Sequence, residues 1–161
     1  MGHVSVLREV AMRPYTLVQM IESHSDQITD TILRRIRQTP SLSEIRKLPE
    51  SELRVRAQEV LRRLGHWLAL RDESELASHY EDLGRRRFTE RVPLHELVEC
   101  FHIVKETTVD YIRGQGLGQT SVELYAEEEL EYRLDRFFDR LIYYVVRGYE
   151  TALRTAAHLA A

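Results

Sequence analysis

The stretch that decides the fold is residues 120–159, which read TSVELYAEEELEYRLDRFFDRLIYYVVRGYETALRTAAHL. Thr120 and Glu123 have the spacing of a capping box, in which each side chain accepts a hydrogen bond from the other residue's backbone N–H at a helix start. No glycine or proline follows until Gly148, and apolar residues recur at helical spacing to about residue 159. The sequence therefore predicts one helix of about 40 residues, which would be roughly 60 Å long, about twice the span of a small domain.

The rest of the chain is also predicted to be helical. Seven glycines and four prolines in 161 residues leave little material for the turns of an all-β fold. The prolines fall between apolar-periodic segments, where a missing backbone N–H does no harm. We therefore predict one all-α domain over residues 1–161. It consists of an N-terminal arm (1–13), bundle helices (14–119) over about 14–38, 50–70, 72–88 and 93–112, and the long terminal helix (120–159).

The apolar arc of the long helix widens from Phe137 onward. One apolar stripe follows the whole helix, and a second stripe, displaced by about 100°, lies beside it. Such an arc is too wide for burial on one side, so the second stripe is interpreted as the contact with a second copy of the chain in a homodimer. The alternative is a central helix wholly buried in its own bundle. The predicted dimer-interface residues are Phe138, Ile142, Val146, Tyr149 and Leu153.

Composition and charge narrow the class of protein. The one cysteine, Cys100, excludes an intramolecular disulfide framework and a multi-cysteine zinc site. No apolar run approaches the roughly 20 residues of a membrane helix, and the opening MGHVSVLREV lacks the apolar stretch of a signal peptide, so we expect a cytoplasmic protein without a membrane segment. With a formal net charge of −3, the chain lacks the strongly basic face that direct binding of nucleic acid requires.

No residue pattern predicts catalysis or a metal site. Glu99 and His102 have the Glu-x-x-His spacing of di-iron bundles, but the sequence has no second copy of this motif, which such sites need on another helix. Cys100 and His102 point to different faces of one helix, so they do not form an activated nucleophile locally. We therefore predict no enzyme activity, no catalytic residues and no metal.

Four polar residues fall on helix faces that should be buried: His24, Tyr80, Arg87 and Lys105. Charged groups are almost never fully buried without partners. If Glu123 and Glu127, in the first turns of the long helix, pair with the two cations, the cluster is structural, which is the interpretation we favour. If they do not, the four residues would line a pocket for a small anionic or polar ligand.

The most specific stretch is residues 80–112, YEDLGRRRFTERVPLHELVECFHIVKETTVDYI. It contains a Leu-Gly-x-x-Arg helix end, a short turn and a helix that begins near Pro-Leu-x-Glu. In these features it resembles the N-terminal sensor domains of RsbR-type regulators, the RsbRD N-terminal family, and the similarity covers about residues 15–155. The matching positions are Leu83, Gly84, Arg87, Pro93, Leu94 and Glu96.

The resemblance implies a globin-like helical bundle without haem, which dimerises through its terminal helix and signals to a C-terminal output domain. Family relatives lie ahead of STAS domains in stressosomes, or ahead of kinase and other regulatory modules. Similar haem-binding sensor globins carry the proximal histidine on the helix before the turn, but residues 84–88 contain no histidine, so no cofactor is expected. The open alternative is a haem-, metal- or small-ligand-binding sensor domain. Either the chain is the sensor piece of a longer protein, or it acts by binding another chain.

Overall fold

The described secondary structure is entirely helical. The computed structural model describes residues 14–116 and 118–161, and within these ranges there is no β-strand, so the predicted all-α fold with a long C-terminal helix is confirmed. The predicted N-terminal arm, residues 1–13, lies outside the described residues. The helices are α1 (Pro14–Ser23), α2 (Ser25–Gln38), a 3-10 turn (Ile45–Lys47), α3 (Glu50–Leu61), α4 (Leu64–Leu68), α5 (Ser74–Thr89), α6 (Leu94–Gly114) and α7 (Ser121–Ala160).

Helix α7 begins with the predicted capping box. The Thr120 side chain accepts a hydrogen bond from the Glu123 backbone N–H, with 3.2 Å between Oγ1 and N, and Glu123 Oε2 lies 3.0 Å from the backbone N of Thr120. These two bonds satisfy N–H groups that a helix start would otherwise leave without partners. The helix then continues for 40 residues.

The bundle is organised around the contact between α5 and α7, where two glycines remove the side chains that would hold the helices apart. A Cβ atom on Gly84 would lie 2.1 Å from the carbonyl oxygen of Val145, and one on Gly148 would lie 2.1 Å from the carbonyl oxygen of Glu81. The two backbones therefore touch directly. Beside this contact, the inner stripe of α7 is buried, with Leu130, Leu134, Leu141 and Val145 each 0% exposed.

Two of the predicted bundle helices are interrupted. The segment 14–38 breaks at His24, whose φ of −106° and ψ of 19° are not helical. The segment 50–70 breaks at Arg63, with φ −118° and ψ 26°. The two breaks are connected, because the Glu22 carboxylate at the end of α1 accepts a hydrogen bond of 2.7 Å from the backbone N of Gly65 at the start of α4. A carboxylate from a distant helix therefore satisfies an N–H that the break exposes.

The third predicted segment starts later than expected. Helix α5 begins at Ser74, and Asp72 Oδ1 accepts hydrogen bonds from both the backbone N and the Oγ of Ser74. The order of the helices is compatible with a globin-like bundle, and that detail stays a prediction.

Candidate functional site

An apolar cavity lies between α2, α3, α5 and α6, next to the 3-10 turn. Its volume is about 40 Å³, and its lining is aliphatic or aromatic apart from Arg56, Arg87 and Cys100. Small-molecule sites typically measure roughly 300–1,000 Å³, and a void of a few tens of Å³ holds only a few water-sized molecules. Neither the size of this cavity nor its lining, which includes no imidazole, fits a haem.

Arg87 is the buried charge at the edge of this cavity. Its side chain is 2% exposed, and its guanidinium lies 2.6 Å from Glu90 Oε2 and 3.3 Å from Glu52 Oε1. Glu52 also contacts Arg56 at 3.2 Å. Burial raises the pKa of the Glu52 carboxyl, but the hydrogen bond from Arg56 and the charges of the neighbouring arginines outweigh it and hold that pKa below its ordinary value. The buried arginine therefore has two carboxylate partners within the chain.

Two other buried titratable groups, Cys100 in the cavity lining and Tyr80, are held neutral. Burial raises the pKa of the Cys100 thiol to about 12, so at neutral pH the sulfur is a thiol and a poor nucleophile. Burial also raises the pKa of the Tyr80 hydroxyl, which has no hydrogen-bond partner among the described residues. Neither group is activated for catalysis.

Glu96, one of the positions that carry the resemblance to RsbR-type domains, has a structural role that the amino-acid sequence does not reveal. Its side chain is 2% exposed, and it accepts hydrogen bonds from the backbone N of Glu44 at 3.0 Å and of Ile45 at 2.8 Å. The hydroxyl of Ser43 donates a third, at 3.2 Å. A carboxylate on α6 thus caps the 3-10 turn that closes one end of the cavity.

The structure does not bring the four predicted ligand residues into one pocket. Arg87 lines the internal cavity, whereas Lys105 lines a separate surface groove with its Nζ 3.3 Å from Asp135 Oδ1. Tyr80 is buried against Trp67 and Phe101. His24 is exposed at the junction of α1 and α2, where its Nδ1 lies 2.8 Å from the carbonyl oxygen of Met20.

The expected ion pairs from Glu123 and Glu127 are wrong. Arg87 pairs instead with Glu52 and Glu90, and Lys105 pairs with Asp135. Glu123 is already engaged in the capping box of α7. Glu127 packs near Gly118, in the loop that precedes the helix. The partners of the buried arginine come from α3 and from the residue that follows its own helix, and neither lies on α7.

The predicted dimer-interface residues divide into two groups. Phe138 is 1% exposed inside its own bundle, and Tyr149 donates a hydrogen bond of 2.7 Å to the carbonyl oxygen of Val92. These two side chains therefore make their contacts within their own chain. Ile142 and Val146 are only half-buried, and Leu153 is 50% exposed, so these three keep apolar surface that the described bundle does not cover.

The described residues contain neither a cluster of metal ligands nor a membrane-spanning helix. Within residues 14–116 and 118–161, no group of three or more histidine, cysteine or acidic side chains is arranged to hold a metal ion. Over the same ranges, no helix combines the length and the apolar character needed to cross a lipid bilayer.

The fold and this site define a helical domain with an apolar core, a buried arginine that is paired within the chain, and a terminal helix of 40 residues. The sequence model of the family described as RsbT co-antagonist protein rsbRD N-terminal domain matches residues 26–161. The chain belongs to this family, which comprises N-terminal domains of RsbR-like stressosome regulators and is generally non-catalytic. The comparisons with curated proteins and with solved structures give no significant match.

Sequence reasoning missed two kinds of structural residue. No sequence pattern paired Glu52 with Arg87 or assigned a partner to Glu96, because Arg87 lies 35 positions from Glu52 and the partners of Glu96 lie 51 or more positions away. Gly84 was found as a motif position and Gly148 as part of a stripe, but nothing in either pattern showed that the two glycines face each other's helix. A helical-wheel comparison of all glycines with all apolar stripes is the signal that could have paired them.

Proposed function

We propose that the chain is a non-catalytic sensory and regulatory domain of a cytoplasmic signal-transduction protein. In this proposal it forms a homodimer through α7 and relays a signal to a C-terminal output domain or to a regulatory partner of the STAS or kinase type. Membership of the RsbRD N-terminal family supports the regulatory role. The neutral thiol of Cys100 and the paired guanidinium of Arg87 support the absence of catalysis.

The observation that carries the proposal is the length of α7 beyond the bundle. Between Glu150 and Ala160 every residue except Ala152 is exposed, a projection of roughly 16 Å at 1.5 Å per residue. Apolar side chains continue along it, with Leu153 50% and Leu159 85% exposed. A projecting helix with an apolar face is stabilised when a second helix covers that face.

The dimer is tested by sedimentation velocity at tens of micromolar, a concentration range at which ordinary obligate dimers are assembled. We expect a dimer for the natural sequence and a folded monomer for the double variant Val146→Glu, Leu153→Glu. The matched control is Val122→Glu, which changes a 57% exposed valine in the first turn of the same helix and should remain a dimer. A monomeric natural protein at these concentrations would refute the dimer.

The alternative haem- or metal-binding sensor is tested on the same preparation. We expect the purified protein to show no Soret absorption and no stoichiometric iron or zinc, because the cavity beside Arg87 is about 40 Å³ in volume and a haem needs far more room. A Soret band, or one metal ion per chain by elemental analysis, would favour the alternative over the proposal.

A further inference from the structure

A second, larger cleft lies on the surface between α4, the loop before α5 and the middle of α7. Its volume is about 360 Å³, within the roughly 300–1,000 Å³ that small-molecule sites occupy. The floor of the cleft is apolar and its rim carries four arginines. The floor consists of Trp67, Leu68, Leu70, Leu76 and Phe137, and the rim of Arg71, Arg133, Arg136 and Arg140 together with Asp72 and Glu73.

Three of the four guanidiniums have no carboxylate partner. Within the described part of the chain, no carboxylate oxygen lies within 4.0 Å of the guanidinium of Arg71, Arg133 or Arg136. Arg133 donates to the carbonyl oxygen of Leu68 at 3.3 Å, and Arg136 donates to the hydroxyl of Tyr132 at 3.1 Å. Each of these guanidiniums has five N–H donors, so most donors remain free for another acceptor.

The fourth arginine, Arg140, is already bound to a carboxylate of the chain and shows how a guanidinium at this rim can hold an anion. Arg140 binds the Glu73 carboxylate through two nitrogens, with Nε 2.9 Å from Oε1 and Nη2 2.8 Å from Oε2. The hydroxyl of Tyr144 donates to the same carboxylate. These hydrogen bonds lower the pKa of Glu73 and raise that of Arg140. A planar anion held by two parallel N–H donors is the arrangement that arginine also offers to phosphate and carboxylate ligands.

From this arrangement we infer that the cleft binds a small organic anion, with a phosphate or carboxylate head group at Arg71, Arg133 and Arg136 and an apolar body on the floor. The cleft carries two carboxylates against four guanidiniums, so its local charge is positive although the chain as a whole is at −3. The indole N–H of Trp67 is already bonded to the carbonyl oxygen of Glu59 at 3.0 Å, so the ring contributes only apolar surface.

The cleft is separate from the proposed dimer face. At 3.6 residues per turn, its three arginines on α7 lie roughly 130° around the helix from Ile142, Val146 and Leu153. The inference therefore holds for a monomer as well as for a dimer, and the proposed function can fail without affecting it.

The test is titration of the purified protein with phenyl phosphate, inorganic phosphate and neutral benzyl alcohol. Trp67, the one tryptophan of the chain, gives a fluorescence readout from the cleft itself, and calorimetry gives an independent one. We expect phenyl phosphate to bind at least about tenfold more tightly than either partial ligand, since only it uses rim and floor together. Its affinity should fall as salt is added. Equal binding of phenyl and inorganic phosphate, or no binding up to about 10 mM, would overturn the inference.

Variants locate the site. Arg133→Gln combined with Arg136→Gln, and Arg136→Gln alone, should weaken phenyl phosphate binding, with a loss of at least about tenfold for the double variant. Arg154→Gln, at an 80% exposed arginine farther along α7, should leave it within about twofold. Glu73→Gln removes the carboxylate that occupies Arg140 and should tighten binding. Unchanged affinity in the double variant, or weaker binding in Glu73→Gln, would contradict the assignment.

Discussion

Gly84 on α5 and Gly148 on α7 each face the backbone of the other helix at their point of closest approach. A Cβ on either residue would lie 2.1 Å from a carbonyl oxygen of the opposite helix, closer than any carbon and oxygen atoms can pack. The backbones of α5 and α7 can therefore pack this closely only because both residues lack a side chain. Shortly after this contact α7 leaves the bundle, since residues from Glu150 onward are largely exposed.

Replacing either glycine by alanine should destabilise the fold. The added methyl group cannot move away from backbone atoms, so the two helices must separate and their side-chain packing loosens. We expect Gly84→Ala and Gly148→Ala each to lower the free energy of unfolding by at least about 2 kcal/mol, measured by urea denaturation. Gly114→Ala is the control, because a Cβ there meets nothing within 4 Å. Equal effects at Gly114 and Gly84 would show that helix contact is not the cause.

Removing the buried guanidinium of Arg87 should lower the stability of the fold more than removing an exposed guanidinium does. Arg87→Ala leaves a void and removes one cation from Glu52 and the nearest cation from Glu90. We therefore expect the free energy of unfolding, measured by thermal or urea denaturation, to fall by about 2–4 kcal/mol. Arg87→Met restores apolar volume and should recover part of the loss. Arg85→Ala, at a 42% exposed arginine on the same helix, should change stability by at most about 1 kcal/mol. Similar losses for Arg85→Ala and Arg87→Ala would argue against this role of burial.

The carboxylate of Glu96 should be required for the 3-10 turn. Glu96→Ala leaves the backbone N–H groups of Glu44 and Ile45 without their acceptor at a position with little access to water. We expect the free energy of unfolding to fall by about 2–3 kcal/mol, and the hydrogen exchange of these two amides to become faster. Glu99→Ala removes a 49% exposed carboxylate on the same helix and should change the free energy of unfolding by at most about 0.5 kcal/mol. Unchanged exchange at Glu44 and Ile45 in Glu96→Ala would refute the capping role.

Glu52 should make the stability of the protein depend on pH in the acid range. Its pKa in the folded protein lies below the ordinary value of 4.5, so its contribution is present above about pH 4.5 and is lost as the pH falls through the lower, folded-state pKa. Urea denaturation at pH 6 and at pH 3 should therefore show a smaller drop in unfolding free energy for Glu52→Gln than for the natural sequence. An identical drop in both proteins would mean that Arg56 and the other arginines around Glu52 do not lower its pKa.

Much of the helical layout could be predicted from the sequence because its signals are local. The capping box joins residues three apart, and the positions of Pro49 and Pro93 mark the starts of α3 and α6. The predicted partners of Arg87 and Lys105 were wrong because helical periodicity contains no information about which helices become neighbours. Glu52 lies 35 positions from Arg87, although the second partner, Glu90, is only three positions away. The break of the segment 14–38 at His24 was not predicted for the same reason, since the Glu22 carboxylate accepts a hydrogen bond from the backbone N–H of Gly65, 43 positions away.

The sequence by itself determined the helical class, the length of α7 and the family to which the chain belongs, because caps, breakers, periodicity and motif spacing act over a few residues. Only the tertiary structure decided that Phe138 and Tyr149 make contacts within their own chain, that Arg87 pairs with Glu52 of α3, and that Arg71 joins the arginines of α7 around one cleft. These relations depend on which helix faces meet, and that choice is set by packing between segments far apart in the chain.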